Sequence, residues 1–171
     1  MTTESNLEQL FNKLPPAKDS GGKEFKVKFN WGNQNALNLF LSQFKEKTKY
    51  PLIWLIEGED TEDTIAKTIR RPVKLFIAKQ SVHQTNTNPI IWDSEFKNTL
   101  DPIYENVKTA LISGGNTNVI DRIFKVKRLA NFSDKDTIAK TIDPWNVIIV
   151  EFDLETYTRG CINENITFKN I

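Results

Sequence analysis

The sequence has few of the side chains that build catalytic and metal sites. Among 171 residues there are one cysteine, one histidine and one methionine. With Cys161 as the sole cysteine, an intrachain disulfide and a cysteine-rich metal site are both excluded. Apolar runs are too short to span a bilayer, and the polar N-terminus MTTESNLEQL is unlike a secretory signal. We therefore expect a soluble protein, made inside the cell, that has no membrane partner.

No arrangement of catalytic residues is recognisable. The single histidine, His83, lies in the polar stretch SVHQTNTNP, without a cysteine or carboxylate at the spacing of a catalytic triad or a zinc site. A glycine-rich phosphate-binding loop is missing, and the acidic stretch of residues 57–63 lacks the ligand spacing of a calcium loop. The formal net charge of +1 does not by itself favour a nucleic acid or an anionic membrane as partner. The sequence therefore predicts no enzyme, no cofactor and no metal site.

Hydrophobic periodicity divides the chain into three parts. Residues 1–23 contain an amphipathic helix from Ser5 to Leu14, with Ser5 and Glu8 spaced as a capping box, and then a turn-rich linker. Residues 24–157 form an α/β core domain, and residues 158–171 form a polar C-terminal arm. Because the linker tethers the helix loosely, the helix can dock on its own subunit or on a neighbour. We predict that it docks on another subunit or ring through its apolar stripe of Leu7, Leu10 and Phe11.

The core domain has the pattern of an α+β fold. Helical periodicity predicts helices at residues 35–47 and 94–111, the second interrupted by Pro102 and ended by Gly114. Apolar runs and alternation predict strands at residues 24–31, 52–57, 73–79, 119–130 and 146–156. We expect a mixed, mostly antiparallel sheet of about four to five strands, with two main helices packed on one face.

The heptapeptide DTIAKTI occurs twice, at residues 63–69 and 136–142, each time between two predicted strands and shortly before a proline. The flanking sequences do not match at the same offset, which argues against gene duplication. We interpret both copies as hairpin arms that pair with each other or add strands to a neighbouring subunit. A coincidence in two solvated loops is an equally weighted alternative. The residues expected to make contacts are Asp63, Ile65, Lys67, Ile69, Asp136, Ile138, Lys140 and Ile142.

Two predicted strands carry lysines opposite their apolar face. Lys26 and Lys28 alternate with apolar residues on the first strand, and Lys125 and Lys127 do so on the fourth. The favoured interpretation is that they keep the outside of a sheet soluble or protect an edge strand from pairing. In a ring of subunits the same lysines would form a basic lumen able to touch a phosphate backbone without reading its sequence.

Five stretches of the core domain carry a recognisable pattern of apolar and aromatic residues: YPLIWLIEG, VKLFIAK, EFKNTLDPIYENVKTAL, DRIFKVKRL and DPWNVIIVEFDLETY. Over residues 31–157 this succession resembles a group of small virion proteins from tailed bacteriophages of Bacteroidetes hosts. The group is similar to tail-terminator and tail-completion proteins, whose α/β subunits form rings at the neck, where the head and connector meet the tail. The shared features are patterns of apolar and aromatic residues, so the resemblance carries no catalytic residues to this chain.

The resemblance implies a structural virion protein that joins the connector to the tail. It implies a homo-oligomeric ring of about six or twelve subunits. Other phage neck and tail proteins would be its partners, at the head-tail junction of a virion assembled in the host cytoplasm. DNA would be contacted only non-specifically, in the lumen. Two other classes stay open from the residues alone: a small nonviral protein-binding or adaptor module, and a small enzyme of unfamiliar type.

Overall fold

Helices and strands are both present in the structure, a computed structural model that describes residues 2–18, 22–42, 51–80, 92–132, 145–158 and 162–169. The helices are α1 (Thr3–Phe11), α2 (Gln34–Ser42) and α3 (Asp101–Ser113), and a π-helical segment (Trp92–Leu100) leads into α3. The strands in this part of the chain are β1 (Ala17–Lys18), β2 (Glu24–Phe25), β3 (Lys28–Gly32), β4 (Leu52–Ile56), β5 (Thr61–Asp63), β6 (Thr68–Gln80), β7 (Thr117–Val119), β8 (Lys125–Phe132) and β9 (Trp145–Tyr157). The predicted α+β class is confirmed.

Seven of these strands form one sheet around the long antiparallel pair β6 and β9. The order is β3-β4-β6-β9, and the far side of β9 pairs with β8 along its first half and with β7 near its end. Strand β5 lies beside the first residues of β6, on the side where β4 follows. Strands β3 and β4 are parallel, and the other neighbours are antiparallel. A mixed, mostly antiparallel sheet was predicted and is confirmed.

The expected count of about four to five strands is too low for two physical reasons. Strands β5 and β7 have three residues each, which is too short for alternation to be visible in the sequence. The strand expected over residues 24–31 breaks at Lys26-Val27. Its first part pairs with β1 in a separate two-stranded sheet, and its second part is β3.

Strand β4 is buried on both faces, as predicted: Leu52, Ile53, Trp54 and Leu55 are each no more than 2% exposed. Ile53 and Leu55 point into the larger core, beneath α1, the π-helical segment and α3; we call this side of the sheet the α3 face. Leu52 and Trp54 point the other way and pack with Leu37 of α2; we call this side the α2 face.

The prediction that the two main helices lie on one face is therefore wrong. Helices α2 and α3 cover opposite faces, because β4 carries large apolar side chains on both sides and each side needs a cover. The turn from β3 into α2 depends on Gly32, where φ is +152°. A Cβ atom at this position would lie 3.1 Å from both Ala36 Cβ and the Trp54 ring.

Pro102 lies in the first turn of α3, the part of a helix where proline is best tolerated. The helix changes from π-helical to α-helical geometry between Leu100 and Asp101, close to the predicted interruption at Pro102. Leu100 occupies the N-cap position of α3 without a side-chain hydrogen bond. Asp101 pairs with Arg128 of β8 at 2.7 Å.

Helix α1 begins and ends earlier than the predicted span from Ser5 to Leu14. Thr2 is its N-cap, with the Ser5 N–H donating to the Thr2 hydroxyl oxygen at 3.3 Å. The expected capping box of Ser5 and Glu8 is not formed, because Thr2 takes the capping role one turn earlier. The helix ends at Phe11, ahead of Pro15.

The C-terminal residues 162–169 lie on the core of their own chain. The Asn163 N–H donates to the Gly114 carbonyl at 2.8 Å. The side chain of Asn106 exchanges two hydrogen bonds with the backbone of Lys169, at 3.1 and 3.0 Å. Three partly buried side chains of the segment pack against the α3-face core: Ile162, Ile166 and Phe168. The described part of the predicted arm is therefore anchored along α3.

Candidate assembly surfaces

The apolar stripe of α1, predicted to dock on another subunit or ring, lies in the core of its own chain. Leu7 and Leu10 are fully buried and Phe11 is 2% exposed. The Phe11 ring stands edge-on to Phe29 of β3, with ring centroids 5.4 Å apart. In this structure the stripe offers no surface to a neighbour, so the geometry gives no support to docking of α1 on another subunit.

A buried ion pair, missed by sequence reasoning, fastens α1 to the sheet. The Arg71 guanidinium of β6, whose side chain is 2% exposed, pairs with Glu4 in the first turn of α1. It also lies 3.7 Å from Asp60 and donates to the Ile56 carbonyl at 3.2 Å. The Thr3 hydroxyl donates to Asp60 at 3.1 Å, which ties the same turn to the loop after β4. No signal in the sequence pointed to this contact, because the predicted strand began at residue 73 and left Arg71 outside it.

The ion pair changes the acidity of Glu4. Partial burial raises the pKa of the Glu4 carboxyl. The hydrogen bond and positive charge of Arg71, together with hydrogen bonds from the Glu4 backbone N–H and from Thr2, outweigh burial, and the pKa lies below its ordinary value. The lowered pKa therefore favours the ionised form of Glu4, which is the form that pairs with Arg71. Asp60, which belongs to the acidic stretch 57–63, contacts Arg71 and Thr3 of its own chain rather than a ligand.

The first DTIAKTI copy forms the hairpin turn between β5 and β6. Asp63 ends β5, and its carboxylate accepts hydrogen bonds from the N–H groups of Ala66 and Ile65 at 2.8 and 2.9 Å. These two bonds hold the pKa of Asp63 below its ordinary value. Lys67 has φ +60°, and its carbonyl accepts from both the N–H and the hydroxyl of Thr158, each at 3.0 Å. Hydrogen bonds of Asp63 at one end of the turn and of Lys67 at the other therefore hold its conformation.

The predicted contact residues of this copy have different exposures. Ile65, at the tip of the hairpin, is 94% exposed, while Ile69 is 6% exposed and belongs to the core face of β6. Asp63 and Lys67 are exposed but act on the turn itself. Ile65 is thus the residue of this set placed to contact a partner. The second copy, with Asp136, Ile138, Lys140 and Ile142, lies outside the described residues, as do His83 and Cys161.

Four predicted surface lysines are exposed: Lys26, Lys28, Lys125 and Lys127. Lys28 and Lys125 lie in β3 and β8, the outer strands at opposite sides of the sheet. Pairing across the sheet places Lys28 beside Leu52, Lys125 beside Glu151 and Lys127 beside Ile149. Because cross-strand partners share a face, these three lysines all project from the α2 face.

An open groove of ≈ 500 Å³ runs along the part of the α2 face that α2 leaves uncovered. Its floor includes Lys74 of β6, Glu151 of β9 and Lys125 of β8. Lys74 pairs with Glu151 at 2.9 Å, and this hydrogen bond and charge lower the pKa of the Glu151 carboxyl. The groove is lined by charged residues and by apolar residues such as Ile120 and Ile123, and it is open, so it suits a large partner better than an enclosed small molecule.

Both outer strands of the sheet have an unpaired side in the described part of the chain. Strand β8 pairs with β9 on one side, and β3 pairs with β4 on one side. No other described strand lies beside either of them. Such edges present backbone donors and acceptors that can pair with another chain.

The backbone of β3 shows which groups face outward. In a parallel pair, alternate residues direct both backbone groups to the neighbour. The Lys28 N–H donates to the Pro51 carbonyl at 3.1 Å, so Phe29 and Trp31 direct their groups away from β4. The Trp31 N–H is covered by the side-chain oxygen of Asn30 at 2.9 Å. The edge is thus partly protected in the single subunit.

Neither a metal site nor a membrane span is found within the described ranges. No three histidine, cysteine, aspartate or glutamate side chains in these ranges come close enough to hold an ion. No helix in them is long and apolar enough to cross a bilayer. No model of a known protein family matches the chain, and no curated protein matches its sequence. The functional interpretation therefore depends on the geometry of the edges and the exposed face.

Proposed function

We propose that this chain is a structural virion protein that forms a ring at the head-tail junction of a tailed phage, of the tail-terminator or neck and tail-completion type. The observation that carries the proposal is the pair of open sheet edges, β3 and β8, at opposite sides of one subunit. Two different surfaces that can meet head to tail are what a closed ring requires. The resemblance of residues 31–157 to phage neck proteins supplies the virion context.

The strand directions suit edge-to-edge association. Strand β3 runs parallel to β4, and each step from β4 to β6, β9 and β8 reverses direction. Strand β8 is therefore antiparallel to β3. When β3 of one subunit continues the sheet beyond β8 of the next, the new pair is antiparallel, which is the more stable arrangement per residue. Repeating this contact by rotation closes a ring of about six or twelve subunits.

The hairpin turn at residues 64–67 supplies a second contact in this proposal. Ile65 lies at the tip of this turn, which is held by hydrogen bonds of Asp63 and Thr158. Because the turn is ordered before a partner binds, binding costs little conformational entropy. Other neck and tail proteins, or the adjacent subunit, are the partners that such a tip would meet. The ring would join the connector to the tail and have no catalytic activity.

A proline substitution at Trp31, whose backbone groups point away from β4, tests the edge contact. Trp31→Pro removes a backbone N–H that does not bond to β4, so the subunit should fold while the edge loses a donor. The control Trp31→Ala removes the half-exposed side chain and keeps the N–H. We expect Trp31→Pro, but not Trp31→Ala, to shift the protein from ring to monomer in light scattering. Equal assembly of the two variants would argue against pairing through β3.

The virion location has its own test. Purified particles of a phage that encodes this chain should contain it at about six or twelve copies, the ring sizes that the resemblance to neck proteins implies. Quantitative mass spectrometry of the particles measures this number. Absence from the particles, together with a monomer in solution, would favour the nonviral adaptor module.

A further inference from the structure

We propose that the chain cross-links itself through an isopeptide bond between the side-chain amine of Lys79 and the side-chain carbonyl carbon of Asn146. Glu95 serves as the acid and base of the reaction. The three residues belong to β6, β9 and the π-helical segment, where the long β6–β9 pair meets the core of the α3 face. The bond forms within one subunit, so the inference does not depend on the proposed ring.

Lys79 and Asn146 lie opposite each other on neighbouring strands. They are register partners in the antiparallel pair of β6 and β9. Both lie on the α3 face, since each is two residues from a core residue of that face, Ile77 in β6 and Ile148 in β9. The Cβ atoms of such partners are about 4.5 to 5.5 Å apart. A lysine side chain is long enough to bring its amine to an asparagine side chain at that distance.

Glu95 brings a carboxylate to the same place. The π-helical segment that carries it packs against both β6 and β9. Its carboxylate lies 2.8 Å from the Lys79 amine nitrogen. Lys79 also donates to the hydroxyl oxygen of Thr99, four residues after Glu95, at 3.5 Å. These two contacts hold the lysine amine over the core side of the sheet, on the side where Asn146 lies.

The site is largely closed to water. The side chains of Lys79 and Glu95 are 16% and 7% exposed, and Asn146 is fully buried. Burial favours the amine over water as the nucleophile, and the fixed positions of amine and amide raise their effective concentration. Charges at this depth are costly to keep, even as a pair. The reaction removes both charges, because the amine becomes an amide and the carboxylate ends protonated.

The reaction needs no oxidant and no cofactor. One proton passes from the Lys79 ammonium to the Glu95 carboxylate, and the neutral Nζ attacks Cγ of Asn146. As the Nζ–Cγ bond forms, Glu95 gives its proton to the amide nitrogen Nδ2 and takes up the second proton of Nζ. The Cγ–Nδ2 bond breaks and ammonia leaves. The product is a secondary amide that joins β6 to β9 where β6 ends and β9 begins, so the two strands stay linked when their hydrogen bonds break.

Tryptic digestion of the denatured full chain, followed by mass spectrometry of the peptides, tests the bond directly. We expect one cross-linked pair of peptides, joined at Lys79 and Asn146 and lighter than their sum by about 17 Da, the mass of ammonia. Trypsin should not cleave after Lys79. Lys13 and Asn163 are a control within the same chain. The Lys13 amine lies 3.1 Å from the Asn163 backbone carbonyl, but both residues are exposed, and they should stay unlinked.

The role of Glu95 is tested with Glu95→Gln, which keeps the size of the side chain but cannot take up the lysine proton. We expect at least about tenfold less of the linked peptides than in the parent. Glu105→Gln is the matched control, since Glu105 pairs with Lys108 on the more exposed surface of α3. It should give as much linked peptide as the parent. Circular dichroism shows whether each variant is folded.

The parent chain decides the bond, whatever the stability of the variants. Complete digestion to unlinked peptides, with cleavage after Lys79, would overturn the proposal. Loss of ammonia without a link between Lys79 and Asn146 would overturn it as well. A folded Glu95→Gln protein that is linked to the same extent as the parent would overturn the assignment of Glu95. None of these results depends on the assembly state, so they leave the proposed ring to its own test.

Discussion

Arg71 and Glu4, which are 67 residues apart in sequence, form the ion pair that fastens the N-terminal helix to the middle strand of the fold. The Arg71 side chain is 2% exposed and that of Glu4 is 17% exposed. A guanidinium at this depth is stable only while a carboxylate faces it. The contact therefore links the position of α1 to the ionisation of one side chain.

Replacement of Glu4 tests this link. We expect Glu4→Gln to lower the free energy of unfolding by about 2 kcal/mol, because a buried Arg71 then loses its charged partner. Glu8→Gln is the matched control on the same helix, where the side chain is exposed, and should change stability by less than about 0.5 kcal/mol. Urea denaturation followed by circular dichroism measures both values. Equal effects of the two substitutions would mean that the ion pair does not hold α1.

The low pKa of Glu4 predicts a loss of stability in acid. The folded-state pKa lies below the ordinary value of 4.5, so the stabilisation is present above that value and is lost as the pH falls through the folded pKa. We expect the unfolding free energy to decrease between about pH 5 and about pH 3. The Glu4→Gln variant should show a smaller decrease over this range. A variant with the same pH dependence as the parent would contradict the assignment to Glu4.

The C-terminal segment should be held chiefly by Asn106. This side chain is 1% exposed and makes two hydrogen bonds to the backbone of Lys169. Asn106→Ala leaves those backbone groups without partners and should lower the unfolding free energy by about 1 to 3 kcal/mol. Hydrogen exchange of residues 162–169 should become faster. Asn165→Ala, at an exposed position of the segment, should change neither measurement.

The hairpin tip predicts an effect on assembly without an effect on folding. Ile65 is 94% exposed, so Ile65→Asp should change stability by less than about 0.5 kcal/mol. If the tip contacts a neighbouring subunit, the carboxylate introduced by Ile65→Asp is buried in that contact. The protein concentration at which half of the subunits are assembled should then rise at least about tenfold. Thr64→Asp adds the same charge beside the tip and should have a smaller effect. Unchanged assembly of Ile65→Asp would remove the first DTIAKTI copy from the interface.

The central strands could be predicted from sequence because their apolar runs are long and unambiguous. Strand β4 and most of β9 lie where expected, and the stripe of the helix around Pro102 is buried as predicted. The start of β6 was missed because Pro72 was interpreted as a boundary. Pro72 lies within β6, opposite the gap between β5 and β4, where no neighbour on that side needs its N–H.

The arrangement in space was harder to predict than the elements. Periodicity shows that α2 has an apolar face but not which side of the sheet it covers, and the choice depends on the two-sided burial of β4. The Leu7, Leu10 and Phe11 stripe was predicted to make an external contact, because Arg71, the residue that ties this helix to its own sheet, is 67 residues from Glu4 in sequence. The shared face of Lys28, Lys125 and Lys127 likewise depends on strand order, which no local pattern encodes.

Native mass spectrometry of the purified protein across a range of concentrations tests the central claim most directly. The subunit mass is 19.7 kDa. We predict one discrete assembly, as a closed head-to-tail ring requires, and expect it to have about six or twelve subunits. A strict monomer at every concentration would contradict a ring that forms by pairing of β3 with β8, and would favour the adaptor module instead.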